Sequence, residues 1–525
     1  MTNARGGSPV SRREVLATSL ALGAVAAWPR RIRSATPQFS AYPFQLGVSS
    51  GFPTDRSMVL WTRLAPEPLA ADGLGGMPAQ DVTLRWELAA DDGFRRIERR
   101  GEILTSPRHA HSAHVLVEHL RPARDYWYRF MVGDHVSGTA RTRTLPAANR
   151  EPREFRMAIA NCQHFEHGQW AAYRHIARSA PDLTLHIGDY IYDTPATPNR
   201  VRTHAGGQCL TLTDYRRRYA QYQMDPALQA AHAAGPWIST WDDHEVENDY
   251  SGIYTGRAAE PAAFLERRSA AYQAYFEHLP LPPGAAPVDG AVALYASRRI
   301  GSLADLYMLD QRQYRSAQAC PQKGRAGGNR VGDDCADLQS ESRTMLGAAQ
   351  EAWLDAQLGQ SRGRWNLLAQ GTVFSQVDEQ PGEGHRYSTD NWNGYPAARR
   401  RLLDALQRRH ARNPVIFSGD IHAFIAANVG IAAEQPDSTP LATEIVSASI
   451  SSDARPQQQF DAWLQENPNL LLAEGRYRGY VALRLSPQRL QADLMAIDER
   501  DNPLSTQRVL HSLVVEAGVP RIQRA

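Results

Sequence analysis

Four short apolar segments of this 525-residue chain are each followed by side chains that can bind a metal ion or transfer a proton. The motifs that follow these segments are, in chain order, Asn161-Cys162-Gln163, Gly188-Asp189-Tyr190-Ile191-Tyr192-Asp193, Asp242-Asp243-His244-Glu245 and Gly419-Asp420-Ile421-His422. Carboxylate oxygens suit hard cations such as calcium, magnesium or manganese, whereas imidazole, thiolate and phenolate favour a transition metal. The combination indicates a polynuclear metal centre, and a thiolate with a phenolate suits ferric iron.

A polynuclear centre of this kind is suited to phosphoryl chemistry. Two or more close cations bind a phosphoryl group, generate a bound hydroxide and stabilise the attacking and leaving oxygens. The carboxylate of Asp189 can bridge two adjacent ions. The motifs therefore predict a metal-dependent phosphoester hydrolase.

Each of these residues also has a purely structural interpretation. Cys162 can be a small buried hydrophobe, Asp189 a turn residue or helix N-cap, and Tyr192 a packed aromatic. Asp420 and His422 can form a polar turn. We favour the metal site because the structural interpretation requires four separate strand ends to have gathered acids and histidines by chance.

The predicted elements place the motifs at the strand ends of an α/β domain. Residues 40–147 contain short alternating runs typical of an immunoglobulin- or fibronectin-like β-sandwich, and Leu120-Arg121-Pro122 followed by Tyr126 resembles a tyrosine corner. From residue 155 apolar strands alternate with helices, and loops at strand ends are where such folds build sites. We therefore predict a β domain over residues 40–147 and a catalytic domain over residues 152–525. The predicted strands that precede the four motifs are 155–160, 183–187, 237–241 and 415–418.

The N-terminus carries the pattern of an export signal. Arg12-Arg13 precedes the short apolar run from Ala17 to Trp28, which is typical of a twin-arginine signal peptide over residues 1–35. The alternative is a buried N-terminal helix with a basic flank. We expect export to the periplasm or beyond by the twin-arginine machinery, with no transmembrane anchor, because the run is too short to span a bilayer.

Composition restricts the class of partner. The 58 basic and 56 acidic residues give a formal net charge of +2, which does not support a nucleic-acid partner. With 42% hydrophobic residues the chain can form a packed interior. We expect a monomer that acts on a phosphoester substrate.

The cysteines fall into two roles. Cys320 and Cys335 flank a loop rich in glycine, arginine and aspartate, and disulfides are allowed outside the cytoplasm. We predict that these two cysteines pair and close the loop from Pro321 to Asp334. Cys162 is assigned to the metal centre.

The four motifs occur in the order seen in PhoD-type alkaline phosphatases, which the chain resembles over nearly the whole mature sequence. The resemblance implies a calcineurin-like metallophosphoesterase fold, in which two β-sheets are packed between helices, and a ferric ion with calcium ions nearby. Further segments that resemble family motifs are Leu46 to Gly51, Leu309 to Arg315 and Asp390 to Pro396.

The resemblance also implies roles for single residues. The family's iron ligands match Cys162, Asp189, Tyr192 and His422. Its calcium ligands match Asp189, Asp390 and Asp420, with a further oxygen ligand expected from the segment of Asp243 to Asn248. His244 stands where a histidine of the wider superfamily contacts the phosphate or aids proton transfer.

We therefore predict an exported alkaline phosphatase or phosphodiesterase in which a metal-bound hydroxide attacks phosphorus, with His244 and Asp189 as catalytic residues. One alternative is a non-catalytic, metal-containing binding protein of the cell surface. Another is an acid phosphatase of the purple type, and Cys162 in the ligand set argues against it.

Overall fold

The structure is a computed structural model that describes residues 38–257, 261–430 and 440–524 of the chain. These residues belong to one compact unit, Thr36–Ala525. The export signal predicted over residues 1–35 lies outside the described residues. No helix in the described ranges has both the length and the apolar character that crossing a membrane requires.

The N-terminal region, up to residue 147, is a sandwich of two sheets. One sheet has the order β4-β3-β6-β7, with β8 also paired to β6. Along β6 the residues Tyr126, Tyr128, Phe130 and Val132 are buried and pack with side chains of β1, β2 and β5. The backbone amide of Arg121 donates to the phenol oxygen of Tyr126 at 2.9 Å, which is the bond of a tyrosine corner. The strands are β1 Val48–Gly51, β2 Met58–Arg63, β3 Val82–Ala89, β4 Ile97–Thr105, β5 Ser112–Val117, β6 Asp125–Val132, β7 His135–Val136 and β8 Ala140–Arg143.

The rest of the described chain alternates strands with helices. The strands are β9 Phe155–Ala160, β10 Leu183–Ile187, β11 Trp237–Thr240, β12 Ala296–Ile300, β13 Ala304–Met308, β14 Arg330–Val331, β15 Trp365–Ala369, β16 Tyr387–Ser388, β17 Pro414–Ser418, β18 Phe424–Val429, β19 Ala442–Val446, β20 Leu470–Glu474, β21 Arg478–Leu485, β22 Arg489–Ile497, β23 Gln507–Glu516 and β24 Ile522–Arg524. The helices are α1 Ala171–Ser179, α2 Leu212–Gln223, α3 Pro226–Ala233, α4 Pro261–His278, α5 Gly347–Gly359, α6 Pro396–Arg408 and α7 Gln457–Glu466.

A ten-stranded sheet runs through most of the molecule in the order β24-β23-β22-β21-β9-β10-β11-β1-β2-β5. Its central strands β9, β10 and β11 are parallel. Strand β1 pairs in parallel with β11 at Gly51 and Trp237, so strands of the N-terminal region extend this sheet. The segment between residues 147 and 152, where the sequence places a domain boundary, therefore does not mark a break in the sheet.

A second sheet of seven strands faces the first, in the order β12-β13-β15-β17-β19-β18-β20. Strands β13, β15, β17 and β19 are parallel to one another. The two sheets share one apolar core, to which Ile159 and Leu185 of the first sheet and Leu367 and Phe417 of the second contribute. Helices α5 and α6 pack on the other side of the second sheet. This is the predicted arrangement of two sheets packed between helices.

Candidate metal centre

The four motifs lie together where the parallel strands of both sheets end. The first three motifs follow strands β9, β10 and β11, and the fourth follows β17. Gly188 allows a close approach between two of them, because a Cβ atom at this position would lie 2.5 Å from the Cβ of Asp242. Gly188 also has φ +120°, a conformation that side chains rarely adopt.

Four candidate ligands have a left-handed backbone. The φ angles are 53° at Cys162, 56° at Asp189, 65° at Asp420 and 60° at His422. Non-glycine residues in this conformation cost about 1–3 kcal/mol each and persist where the surrounding structure holds them. Such strain concentrates at functional sites, and here it directs side chains of both sheets to one place.

The first close group joins the two sheets through the predicted iron ligands. Ligand atoms of Cys162, Asp189 and His422 all lie within 4.8 Å of one another. The phenol oxygen of Tyr192 is 2.8 Å from Asp189 Oδ2 and 3.2 Å from His422 Nε2. His422 Nδ1 lies 2.6 Å from the carbonyl oxygen of Asp453, so Nδ1 carries the hydrogen and Nε2 is left for a metal.

The second close group shares Asp189 with the first. Ligand atoms of Asp189, Asp243 and His244 lie within 4.8 Å of one another. The backbone amide of His244 donates to Asp189 Oδ1 at 3.3 Å, and its ring Nδ1 is 2.7 Å from Asp193 Oδ1. Membership of both groups gives Asp189 the position of a bridging carboxylate.

The third close group consists of Asp243, Asp249 and Asp390. Asp249 is not among the ligands predicted from the sequence, although it directly follows Asn248, which is. Asn248 is exposed, and its side-chain amide donates to Asp249 Oδ2 at 2.5 Å. Asp390 forms two hydrogen bonds of 2.8 Å with the guanidinium of Arg312.

Asp420 lies next to these groups without belonging to any of the three. Its backbone amide forms a hydrogen bond to the sulfur of Cys162. Burial raises the pKa of the Asp420 carboxyl well above its ordinary value, and the negative charges of Asp242, Asp390 and Asp243 raise it further. The Asp420 carboxylate is thus close to those of the three groups. Among the described residues, no arginine forms an ion pair with it, whereas Arg312 and Arg315 pair with Asp242 and Asp390.

Negative charge is in excess at this centre when no cation is bound. Burial raises the pKa values of Cys162, Asp189 and Tyr192 well above their ordinary values, and neighbouring carboxylates add to each shift. The buried oxygens Asp242 Oδ2 and Asp243 Oδ1 accept no hydrogen bond. Buried acids with unused lone pairs are costly unless a cation compensates them. The donor set therefore fits bound metal ions.

One buried cation already compensates part of this charge. Arg312 is fully buried, and its Nε donates to Asp242 Oδ1 at 2.6 Å. Its guanidinium also lies 3.7 Å from Asp243 Oδ2. For Asp390, burial acts to raise the pKa of the carboxyl, but Arg312 and Arg315 outweigh burial and hold the pKa below its ordinary value. The sequence signal for Arg312 is its place in the segment that follows β13, another parallel strand.

A serine-rich loop, Ser447 to Asp453, follows β19 and holds three of the four predicted iron ligands. The hydroxyl oxygen of Ser452 lies 2.8 Å from the carbonyl oxygen of Cys162 and 2.7 Å from the phenol oxygen of Tyr192. The carbonyl of Asp453 accepts from His422. This loop contains no residue predicted as a ligand, and sequence reasoning did not identify it.

The chain is similar to proteins of one phosphatase family over almost its whole length. The family model of PhoD-like phosphatases matches residues 157–494, and the model of the N-terminal domain of PhoD-like phosphatases matches residues 30–146. Alkaline phosphatase D of Bacillus subtilis (strain 168) is 42% identical over 468 residues, which are 88% of this chain and 78% of that protein. The solved structure of PhoD is 39% identical, covers 93% of each chain and superposes with a TM-score of 0.88.

Proposed function

Because this chain belongs to the PhoD-like phosphatase family and is a hydrolase acting on phosphoric ester bonds, we propose that it is an exported alkaline phosphatase or phosphodiesterase that depends on a ferric ion and calcium ions. The observation that carries the metal dependence is the position of Asp189, which belongs to two close groups of ligand atoms at once. The family relationship favours this enzyme over a non-catalytic binding protein.

The two kinds of ion would use different parts of the centre. Cys162, Asp189, Tyr192 and His422 offer the thiolate, phenolate and imidazole that suit ferric iron. Oxygen ligands for calcium come from Asp189, Asp243, Asn248, Asp249, Asp390 and Asp420. Bound ions of this type polarise the phosphoryl oxygens and lower the pKa of water.

The reaction that we propose is direct hydrolysis. A water oxygen forms a bond to phosphorus and releases a proton to the solvent, the ester P–O bond breaks, and the leaving oxygen takes up a proton. Ser418, beside the fourth motif, is not the nucleophile, because it is fully buried and donates to Glu444 Oε1 at 2.5 Å.

His244 is the residue that we propose to protonate the leaving oxygen. Burial acts to lower the pKa of His244, but Asp243, Asp193 and Asp189 outweigh burial and raise the pKa well above its ordinary value. The side chain is 14% exposed, and the bond of Nδ1 to Asp193 leaves Nε2 free to face a substrate. Of these three carboxylates only Asp193 is not a proposed metal ligand, so in the metal-loaded enzyme Asp193 is the residue that keeps the ring protonated and able to act as the general acid.

Hydrolysis of p-nitrophenyl phosphate and of its bis-ester tests this function. The enzyme, purified after export, is assayed across pH with calcium present and again after chelation. We expect turnover that chelation abolishes and that added metal restores, and the ratio of the two substrates separates monoesterase from diesterase. Turnover that survives complete removal of iron and calcium contradicts the metal dependence.

Export is tested separately. The variant Arg12→Lys with Arg13→Lys is expected to keep the enzyme in the cytoplasm, because the paired arginines are the recognition element of the signal. Undiminished accumulation outside the cytoplasm contradicts the twin-arginine route.

A further inference from the structure

Two arginines face each other at the edge of the metal centre. Arg257 and Arg325 are direct partners in an isolated antiparallel bridge between two loops. The amides of Ala326 and Gly327 both donate to the carbonyl of Gly256 at 3.1 Å, which fixes this bridge. Directly opposed residues of an antiparallel pair project to the same side, and like charges in such a pair repel. An anion bound between them would remove that repulsion.

Arg325 borders the third group of acids. Its guanidinium nitrogen lies 3.9 Å from Asp249 Oδ2. The loop that carries it, closed by the disulfide of Cys320 and Cys335, packs directly on Asp249. At Gly328, which has φ +64°, a Cβ atom would lie 2.1 Å from Asp249 Oδ2, so only glycine allows the loop to come this close.

Arg257 is connected to the other side of the centre, where His244 lies, through two hydrogen-bonded residues. Its guanidinium donates to Gln208 Oε1 at 3.2 Å. The side-chain amide of Gln208 donates to Asp193 Oδ2 at 2.7 Å, and Asp193 is the partner of His244. The arginine pair therefore lies on the same rim as the residue that we propose to protonate the leaving oxygen.

The described part of the chain compensates the charges of this pair only weakly. In the part of the chain that the structure describes, Arg257 forms no ion pair, and Arg325 approaches a carboxylate only at 3.9 Å. By contrast, two other arginines near the site, Arg200 and Arg500, both form ion pairs with Asp453. The Arg325 side chain is 55% exposed and is held by bonds to the carbonyls of Gly327 and Gly328, at 3.0 and 2.7 Å.

We propose that Arg257 and Arg325 bind an acidic group on the leaving alcohol of the substrate. The preferred substrates are then phosphoesters whose alcohol carries a second phosphate. A guanidinium binds phosphate through two parallel hydrogen bonds, and the orientation of Arg325 is already fixed. This inference rests on the proposed function, since it assigns the substrate class of the same site.

Fructose 1,6-bisphosphate and fructose 6-phosphate form a matched pair of probes, because their leaving alcohols differ by one phosphate. We expect the metal-loaded enzyme to have a kcat/KM about tenfold higher for the bisphosphate, which corresponds to one charge-assisted contact. The double variant Arg257→Ala with Arg325→Ala is expected to lose this ratio through a rise in KM for the bisphosphate alone. Arg325→Lys keeps the charge but lacks the planar guanidinium that forms two parallel hydrogen bonds, and it is expected to retain part of the ratio.

Arg330→Ala is the control variant, because Arg330 lies in the same disulfide loop but pairs with Glu379. It is expected to keep the ratio of the wild type. The inference is overturned if the wild type does not prefer the bisphosphate, or if the double variant lowers kcat/KM for both substrates equally. Hydrolysis of p-nitrophenyl phosphate distinguishes failure of this inference from failure of the proposed function. Activity on p-nitrophenyl phosphate without preference for the bisphosphate refutes this inference alone. Inactivity on all three esters refutes the proposed function as well.

Discussion

The hydroxyl oxygen of Ser452 lies 2.7 Å from the phenol oxygen of Tyr192, although Ser452 follows a strand of the second sheet and Tyr192 a strand of the first. Tyr192 is itself 2.8 Å from Asp189 Oδ2. The one hydroxyl hydrogen of Ser452 would be shared between the carbonyl oxygen of Cys162, at 2.8 Å, and the phenolate that a bound metal would create. Ser452 is therefore placed to set the electron density on a candidate iron ligand without being a ligand.

The variant Ser452→Ala removes this donor. We expect a shift of the visible tyrosinate-to-iron absorption and a loss of about 10- to 100-fold in iron affinity or activity, as for other residues that support metal ligands. Ser451→Ala is the matched control, because Ser451 lies in the same loop but donates to the carbonyl of His164. An unchanged spectrum of Ser452→Ala contradicts the assignment.

Tyr192→Phe keeps the aromatic ring and removes the phenol. If Tyr192 is the iron ligand, the visible absorption of the purified enzyme disappears, since no tyrosinate remains to transfer charge. Tyr173→Phe serves for comparison, because Tyr173 is also buried but its hydroxyl bonds to Gln163. Colour that persists in Tyr192→Phe assigns the chromophore to another residue.

Asp189→Asn keeps the shape of the side chain and removes the charge shared by two groups of ligand atoms. We expect kcat/KM to fall at least about 1,000-fold, or about 4 kcal/mol of transition-state stabilisation, with loss of bound metal. Circular dichroism checks the fold, and elemental analysis measures the metals. A folded Asp189→Asn variant with full activity excludes a bridging role.

Relative to the metal-loaded protein, the protein without metals is expected to lose stability as pH rises. Burial raises the pKa of Asp249 to about 7 and of Glu245 to about 8. Between the ordinary and raised pKa values these two carboxyls bind more protons in the folded protein than in the unfolded chain, so their contribution to the free energy of unfolding falls as pH rises from about 4 to about 8. Each carboxylate contributes about 1.4 kcal/mol per pH unit within its own window.

Calorimetry with and without chelator measures this effect. The difference in Tm between the metal-loaded and the chelated protein is expected to widen by several degrees between about pH 5 and about pH 8, because cations bind the ionised carboxylates. Asp249→Asn in the chelated protein should weaken the dependence, since it removes one of the titrating groups. Identical pH dependence with and without metal would count against the site.

The disulfide of Cys320 and Cys335 closes the loop beside Asp249, with a sequence separation of 15 residues. Replacing both cysteines by serine is expected to lower the free energy of unfolding by about 3 kcal/mol. Urea denaturation measures the change, and a reducing agent should destabilise the wild type but not the double variant. Equal sensitivity of both proteins to the reducing agent would show that the disulfide contributes nothing.

The parts of the site predictable from sequence are those at the ends of buried parallel strands. Strands β9 and β10 have the predicted bounds, and β17 begins one residue earlier, because strands buried on both faces form continuous apolar runs. The residues after such strands could be named from local pattern alone. The motifs after β9, β10, β11 and β17 are found in the site for this reason.

What could not be predicted depends on contacts between distant segments. Ser452 contacts Tyr192 across 260 positions, and nothing near Ser452 in the sequence marks it as part of a metal centre. Asp249 and Asn248 are adjacent in sequence, so a strand-end pattern cannot decide which carries a ligand oxygen. The pairing of β1 with β11 has the same origin, because local alternation predicts a strand but not its neighbour.

The position of β1 in the ten-stranded sheet has a consequence for how this protein avoids self-association. Without the N-terminal region, β11 would be an edge strand with a row of unpaired backbone groups, and its first residue, Trp237, has a buried side chain. Exposed edges of this kind are templates for pairing with other chains. In the intact protein β1 pairs with the beginning of this edge, at Gly51 and Trp237, and the amide of Phe52 donates to the carbonyl of Trp237 at 2.9 Å. The N-terminal region thus blocks the beginning of β11 from pairing with another chain, a role that requires no contact with substrate.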